Sequence, residues 1–117
     1  MQRITLNLVN EYPQFRYPGH RYKTQSLNSG EEFRDEILLP FIKKHENEKI
    51  IINLEGAIGF PPSFLEEAFG GCIRKGINKI NDIEVVGVDE IEQERIKRYI
   101  NKAKIYEASN SEQKKIV

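Results

Sequence analysis

Residues 49–76 decide the fold and read KIIINLEGAIGFPPSFLEEAFGGCIRKG. The first six, 49–54, contain three consecutive isoleucines, β-branched and apolar, as in a strand covered on both faces. Two prolines then open 61–75, where they are tolerated because the first amides of a helix have no intrahelical partner. Apolar residues recur there in pairs every four positions, which predicts a helix with one buried face. A covered strand followed by an amphipathic helix is typical of an α/β fold.

Further strands are predicted on both sides of this unit. Period-2 alternation indicates a strand at 4–9, and a Val-rich run indicates another at 83–88. The turn-rich segment 10–28 has room for a short strand at 21–25. We therefore predict an α/β domain with a single-layer, mixed, centrally parallel sheet of four or five strands and three packed helices.

Two capping boxes mark the starts of the other helices. Ser29 precedes one helix and Asp89 precedes the last one. The first of these helices should kink or break near Leu39, because Pro40 has no amide to donate. We place a single domain at 1–107 and a frayed polar tail at 108–117.

The composition narrows the class of protein. The 117 residues include eighteen basic and eighteen acidic ones, so the formal net charge is zero. No net charge therefore attracts nucleic acid, lipid or an acidic substrate. Cys72 is the only cysteine, which excludes an internal disulfide and favours a reducing compartment. No apolar run approaches the roughly 20 residues of a membrane span. We expect a soluble cytoplasmic protein that does not associate with membranes.

The helix at 61–75 carries an unusual glycine pair. Opposite its apolar stripe, two rows at i+4 spacing contain Gly70 and Gly71, each of which costs about 1 kcal/mol relative to alanine inside a helix. Two interpretations stay open. Either another part of the chain packs there or the helix bends, or the bare backbone is a surface for a partner.

Catalysis and cofactor binding are not expected. The segment after the central strand lacks the spacing of a phosphate-binding loop. Glu66 and Glu67 could serve acid or base chemistry, yet carboxylates in a first helical turn commonly complement the helix dipole. His20 and His45 are too far apart in sequence to form a metal-ligand pair. We expect neither a metal nor a cofactor.

A basic aromatic segment at 15–23 supports an alternative function. Its aromatic residues alternate with four cationic or titratable side chains, a combination that holds single strands or phosphate groups. The alternative contacts are Arg16, His20, Arg21 and Lys23. Because aromatic residues that cover the sheet would give the same pattern, nucleic acid is not the partner we favour.

Two blocks together resemble a known family. They read GHRYKTQSLNSGEEF, running on through RDEILLPFI, and INLEGAIGFPPSFLEEAFGGCIR, and they span about residues 19–76. This pattern resembles the STAS-like domain family of bacterial proteins of unknown function, distantly similar to anti-sigma factor antagonists. The resemblance implies a regulatory binding module that docks onto a partner such as a histidine-kinase-like ATPase. It also places the phosphorylation motif of such antagonists at 61–63, where Pro62 takes the acceptor position and Ser63 is the nearest hydroxyl.

The leading hypothesis is therefore a non-catalytic, regulatory protein-interaction module. It would use the amino end and the glycine face of the helix at 61–75. The predicted partner-binding residues are Ser63, Glu66, Glu67, Gly70, Gly71 and Arg74.

Overall fold

The computed structural model describes the backbone of residues 2–116 and the side chains of residues 2–110. Its sheet contains three strands, β1 (Arg3–Asn7), β2 (Lys49–Asn53) and β3 (Glu84–Val86). They lie side by side in the order β1-β2-β3, and both neighbouring pairs are parallel. The predicted central strand is thus confirmed.

Helices connect and follow these strands. A short helix α1 (Leu8–Glu11) and a 3-10 turn (Pro13–Arg16) come directly after β1. Helix α2 covers 30–44 and α3 covers 62–74, and each contains a π-helical segment, Phe33–Leu38 in α2 and Glu66–Gly70 in α3. A second 3-10 turn (Asn78–Asp82) precedes β3, and α4 (Glu90–Ile116) follows it.

The core lies on one face of the sheet. Leu6, Ile50 and Ile52 point to that face and are almost fully buried, whereas Ile51, which points the other way, is half-buried. The isoleucine run therefore belongs to a strand that is fully covered on one face only. The prediction that both faces are covered was wrong.

Aromatic rings from three segments fill the space between the sheet and the helices. Phe33 of α2 stacks on Phe64 of α3, with ring centroids 5.9 Å apart and an interplanar angle of 12°. Phe15, from the 3-10 turn after β1, contacts both rings and is fully buried. Phe15 is thus part of the core, whereas Tyr17 and Tyr22 of the amino-terminal loop (residues 12–29) are exposed.

The prediction of four or five strands is not confirmed. Among residues 2–116 the sheet has three strands, and 21–25 forms turns instead of a strand. Local hydrogen bonds explain this, since the amide of Gln25 donates to the carbonyl of Tyr22 over 2.9 Å. The carbonyls of His20 and Arg21 accept from the first amides of α2, so this segment caps a helix.

At both predicted capping boxes, the side chain of the N-cap residue accepts the expected hydrogen bond. Ser29 Oγ accepts from the amide of Glu32 over 3.0 Å, and Asp89 Oδ1 accepts from the amide of Glu92 over 2.8 Å. Of the kink or break predicted near Leu39, the break is absent, because helical residues continue past Pro40 to Lys44. The π-helical segment immediately before Pro40 is where the backbone departs from regular α geometry.

Helix α4 continues from Glu90 through the predicted tail to Ile116. Its last buried side chain is Ala103, so the carboxyl-terminal part extends beyond the core, as far as the side chains are described. The domain limits at 1–107 and 108–117 stay a prediction. Within the described part of the chain, no helix has the length and apolar character needed to cross a membrane.

Candidate functional site

The glycine pair of α3 is buried within the fold. A Cβ atom on Gly71 would lie 2.5 Å from Nη1 of Arg34, which belongs to α2. A Cβ atom on Gly70 would lie 2.5 Å from Oε2 of Glu66 and 3.4 Å from the carbonyl oxygen of Tyr99 in α4. The expectation that these two glycines form an exposed partner surface was wrong. They are small because charged side chains and a neighbouring helix occupy the space that a side chain would need.

The side chains around the glycines form what we call the charged cluster. It has three arginines and three carboxylates, contributed by the amino-terminal loop, α2 and α3: Arg21, Arg34, Asp35, Glu66, Glu67 and Arg74. Every buried side-chain nitrogen or oxygen among the described residues has a hydrogen-bond partner. The cluster is therefore fully satisfied, as a buried polar network must be to avoid a large desolvation penalty.

Arg34 is the buried centre of the charged cluster. Its side chain is 5% exposed, and its Nη1 donates to the Glu67 carboxylate and, over 3.2 Å, to the Glu67 main-chain carbonyl. Its Nε donates to Asp35 Oδ1 over 2.9 Å. Arg34 thus joins α2 to α3 directly in front of Gly71.

Glu66 lies between the two outer arginines. Arg21 Nη1 donates to Glu66 Oε1 over 2.5 Å, while Arg74 donates with Nη1 to Oε2 over 2.7 Å and with Nη2 to Oε1 over 3.0 Å. Glu67 Oε1 lies 3.2 Å from Arg21 Nη1 and 3.5 Å from Arg74 Nη2. These bonds attach the amino-terminal loop to α3.

Hydrogen bonds from arginines lower the pKa values of two carboxylates in the charged cluster, Glu66 and Asp35. Burial alone would raise the pKa of Glu66, but hydrogen bonds from Arg74 and Arg21 outweigh it and hold this pKa below its ordinary value. Burial is likewise outweighed at Asp35, whose pKa is lowered by its bond to Arg34. A general acid at neutral pH needs a raised carboxyl pKa. The geometry of these two carboxylates suits charge pairing rather than proton transfer.

A cleft of about 380 Å³ opens beside the charged cluster, between α3, α4 and the amino-terminal loop. We call it the tyrosine cleft, because two exposed tyrosines stand in its lining. Its lining includes the aromatic or charged side chains of Arg21, Tyr22, Glu66, Arg74, Lys102 and Tyr106. No sequence pattern indicated it, because Lys102 and Tyr106 come from a helix far along the chain.

The structure separates the four predicted contacts of the basic aromatic segment. Arg21 belongs to the charged cluster, and Lys23 Nζ lies 4.0 Å from Asp35 Oδ2. Arg16 is exposed, with its Cζ 6.0 Å from the ring centroid of Tyr17. His20 is exposed as well. Two of the four side chains are therefore paired with carboxylates, and the other two are exposed.

Three large apolar side chains are exposed on the loops that follow β1 and β2. We call them the loop surface: Tyr17, Leu27 and Ile58, which are 59%, 83% and 71% exposed. Hydrogen bonds hold their loops together, since the Ile58 amide donates to the Arg16 carbonyl over 2.9 Å. Asn28 Nδ2 donates to the Tyr17 carbonyl over 3.3 Å.

Ser63 lies at the start of α3, directly after one of these loops. It is half-buried, and the helix begins behind Pro61 without a side-chain cap. Leu27 and Ile58 were missed by sequence reasoning. The available signal was that both are large apolar residues within turn-rich segments and outside every apolar stripe.

The described side chains form no group of three or more His, Cys, Asp or Glu residues that could hold a metal ion. Cys72 is fully buried on the core stripe of α3, and burial raises the pKa of its thiol to about 12. Such a thiol is not a nucleophile at neutral pH.

Comparison with known proteins defines the family. The model of a family described as a STAS-like domain of unknown function (DUF4325) matches residues 29–91, more than half of the chain. The chain belongs to this family, which confirms the resemblance noted from its sequence. Neither the curated proteins nor the solved structures gave a match. The match includes α2, β2 and α3, and so contains most of the charged cluster.

Proposed function

We propose that this domain is a non-catalytic, regulatory protein-interaction module of the bacterial cytoplasm. It docks onto its partner with the loop surface, and Ser63 lies at the edge of that contact. The proposed partner is a regulator such as a histidine-kinase-like ATPase, the type that similarity to anti-sigma factor antagonists implies.

One observation carries this proposal. Tyr17, Leu27 and Ile58 expose large apolar side chains on loops that are hydrogen-bonded to each other. Single exposed apolar residues are ordinary, whereas a group of them on connected loops is typical of an interaction site. Loops after the carboxyl ends of parallel strands are also where α/β domains commonly bind their ligands.

The charged cluster has a supporting role in this proposal. Arg21 bonds to two glutamates of α3, and the carbonyl of the same residue accepts from the amide of Glu31 in α2. The loop that carries Tyr17 and Leu27 is therefore anchored close to the partner surface. A surface that is ordered before binding loses less conformational entropy when the partner docks.

The test is a pull-down from cells of the natural host, with the captured proteins quantified by mass spectrometry. Leu27→Lys and Ile58→Lys should each reduce capture of the partner by at least about tenfold, because binding would bury the charged lysine in an apolar contact. Ile105→Lys is the matched control, since Ile105 is 68% exposed and belongs to α4 instead of the loops.

Equal capture by the Ile58→Lys and Ile105→Lys proteins would contradict the loop surface as the docking site. Capture of proteins that do not include an ATPase, if it is lost with Ile58→Lys and kept with Ile105→Lys, would retain the surface and reject the partner type. Circular dichroism of each variant confirms that the lost capture does not result from unfolding.

A further inference from the structure

A second surface, the tyrosine cleft, combines exposed aromatic rings with cationic side chains. We propose that the tyrosine cleft binds single-stranded nucleic acid. This surface is separate from the loop surface, and it uses only Arg21 of the four contacts that the basic aromatic segment suggested.

The two tyrosines come from distant parts of the chain and line the same cleft. Tyr22 lies in the amino-terminal loop and is 44% exposed, and Tyr106 lies on α4 and is 62% exposed. Arg21 Cζ is 5.9 Å from the centroid of the Tyr22 ring. Exposed rings next to cations are the elements with which proteins stack unpaired bases, at about 1–3 kcal/mol per base.

The charges of the cleft favour an anion. Arg21, Arg74 and Lys102 line it together with Glu66 and Glu67. Both carboxylates already accept hydrogen bonds from arginines, and Glu67 is also paired with Arg34 from behind the cleft. The three basic and two acidic side chains of the lining therefore leave one net positive charge (3 − 2 = 1). Within the described side chains Lys102 has no ion pair, so its ammonium group can contact a phosphate.

Lys23 and Lys75 do not line the cleft, and both lie near the Asp35 carboxylate, which opposes their charge. The exposed tyrosine rings of the lining distinguish a single-stranded nucleic acid from an acidic peptide, because only the nucleic acid offers unpaired bases that can stack on them.

Fluorescence anisotropy tests the proposal directly. The probe is a fluorescein-labelled oligothymidylate of about 12 nucleotides, within the site size of single-strand binding modules. Saturable binding is expected at low salt. With about three phosphate contacts, affinity should fall about tenfold between roughly 50 and 150 mM KCl.

Variants connect that binding to the cleft. Lys102→Glu should weaken it about tenfold and Tyr106→Ala at least about fivefold, since each removes one type of contact. Lys104→Glu is the matched control, because it makes the same charge change on an exposed residue of α4, about 200° around the helix from Lys102. It should change the affinity less than about twofold, since charges that do not contact the ligand are screened.

Three results would overturn the proposal. The first is the absence of saturable binding at low salt. The second is an equal loss of affinity in the Lys102→Glu and Lys104→Glu proteins, which would show attraction by net charge alone. The third is displacement of the probe by polyglutamate as efficiently as by unlabelled oligothymidylate, which would assign the cleft to an acidic peptide. Because Leu27→Lys and Ile58→Lys change no residue of the cleft lining, failure of either proposal leaves the other open to its own test.

Discussion

Substitution of Gly71 by alanine should destabilise the domain, although alanine is the better helix former. In an ordinary exposed helix the change would stabilise by about 1 kcal/mol. Here the new Cβ atom would lie 2.5 Å from Nη1 and 3.0 Å from Cδ of Arg34. Arg34 is 5% exposed, so its side chain has no free space into which it can move.

The expected loss in the free energy of unfolding follows from the ion pair that the new Cβ atom displaces. Separation of the buried Arg34–Glu67 pair should cost about 3–5 kcal/mol, and the helix propensity of alanine offsets about 1 of these. We expect Gly71→Ala to lower the free energy of unfolding by about 2–4 kcal/mol. Gly70→Ala is the matched control, because its close neighbour is the carboxylate of Glu66, which is 24% exposed and can turn outward. That variant should lie within about 1 kcal/mol of the parent protein.

Urea denaturation followed by circular dichroism measures both variants. Repeating Gly71→Ala in an Arg34→Ala background completes a double-mutant cycle. The cost of the alanine should then fall by more than about 1 kcal/mol, because the clashing side chain is gone. The reasoning is refuted if Gly71→Ala is as stable as Gly70→Ala, or if its cost is unchanged without the arginine.

Three further predictions follow from the buried groups. Arg34→Ala should lower the free energy of unfolding by about 3–5 kcal/mol, against less than about 1 kcal/mol for Lys23→Ala, in the same urea assay. Because the folded-state pKa values of Asp35 and Glu66 are lowered, their contribution to stability is complete above the unfolded carboxyl pKa of about 4 to 4.5 and is lost as the pH falls through the folded values. Urea midpoints should therefore decline below about pH 5, and Glu66→Gln should make that decline shallower. Cys72, with its thiol pKa raised to about 12, should react with a disulfide reagent at about pH 8 only after the protein is denatured, which a thiol titration measures.

The parts of the fold that depend on local periodicity could be predicted from the sequence. The strand β2, the start of α3 at Pro62 and the capping serine Ser29 are set by residue types within a few positions of each other. The absent strand at 21–25 could not be predicted in this way. Its backbone groups are used by a turn and by the first amides of α2, and that contact depends on tertiary packing.

The glycine pair shows the same limit at the candidate site. The sequence reveals that Gly70 and Gly71 are costly in a helix, but it does not reveal which neighbour requires them. For Gly71 that neighbour is Arg34, on another helix, whereas Gly70 faces the carboxylate of Glu66 and the carbonyl of Tyr99. A signal was available, because Arg34 precedes Leu38 and Phe41 by four and seven positions and therefore lies on the apolar face of α2. A charged residue on such a face predicts a buried partner of opposite charge, and Glu67 is that partner.

The charged cluster also determines where the two proposed surfaces lie. Buried ion pairs add little net stability compared with apolar packing of the same volume. The domain already has a continuous apolar core that includes Phe33, Phe64 and Phe69. The cluster instead holds the amino-terminal loop in place, because Arg21 is bonded to α3 through its side chain and to α2 through its carbonyl. The same residue continues into Tyr22 of the cleft and belongs to the loop that carries Tyr17. A ligand that displaced Arg21 from Glu66 would therefore loosen both surfaces together, so occupancy of the tyrosine cleft and docking at the loop surface are expected to be energetically coupled.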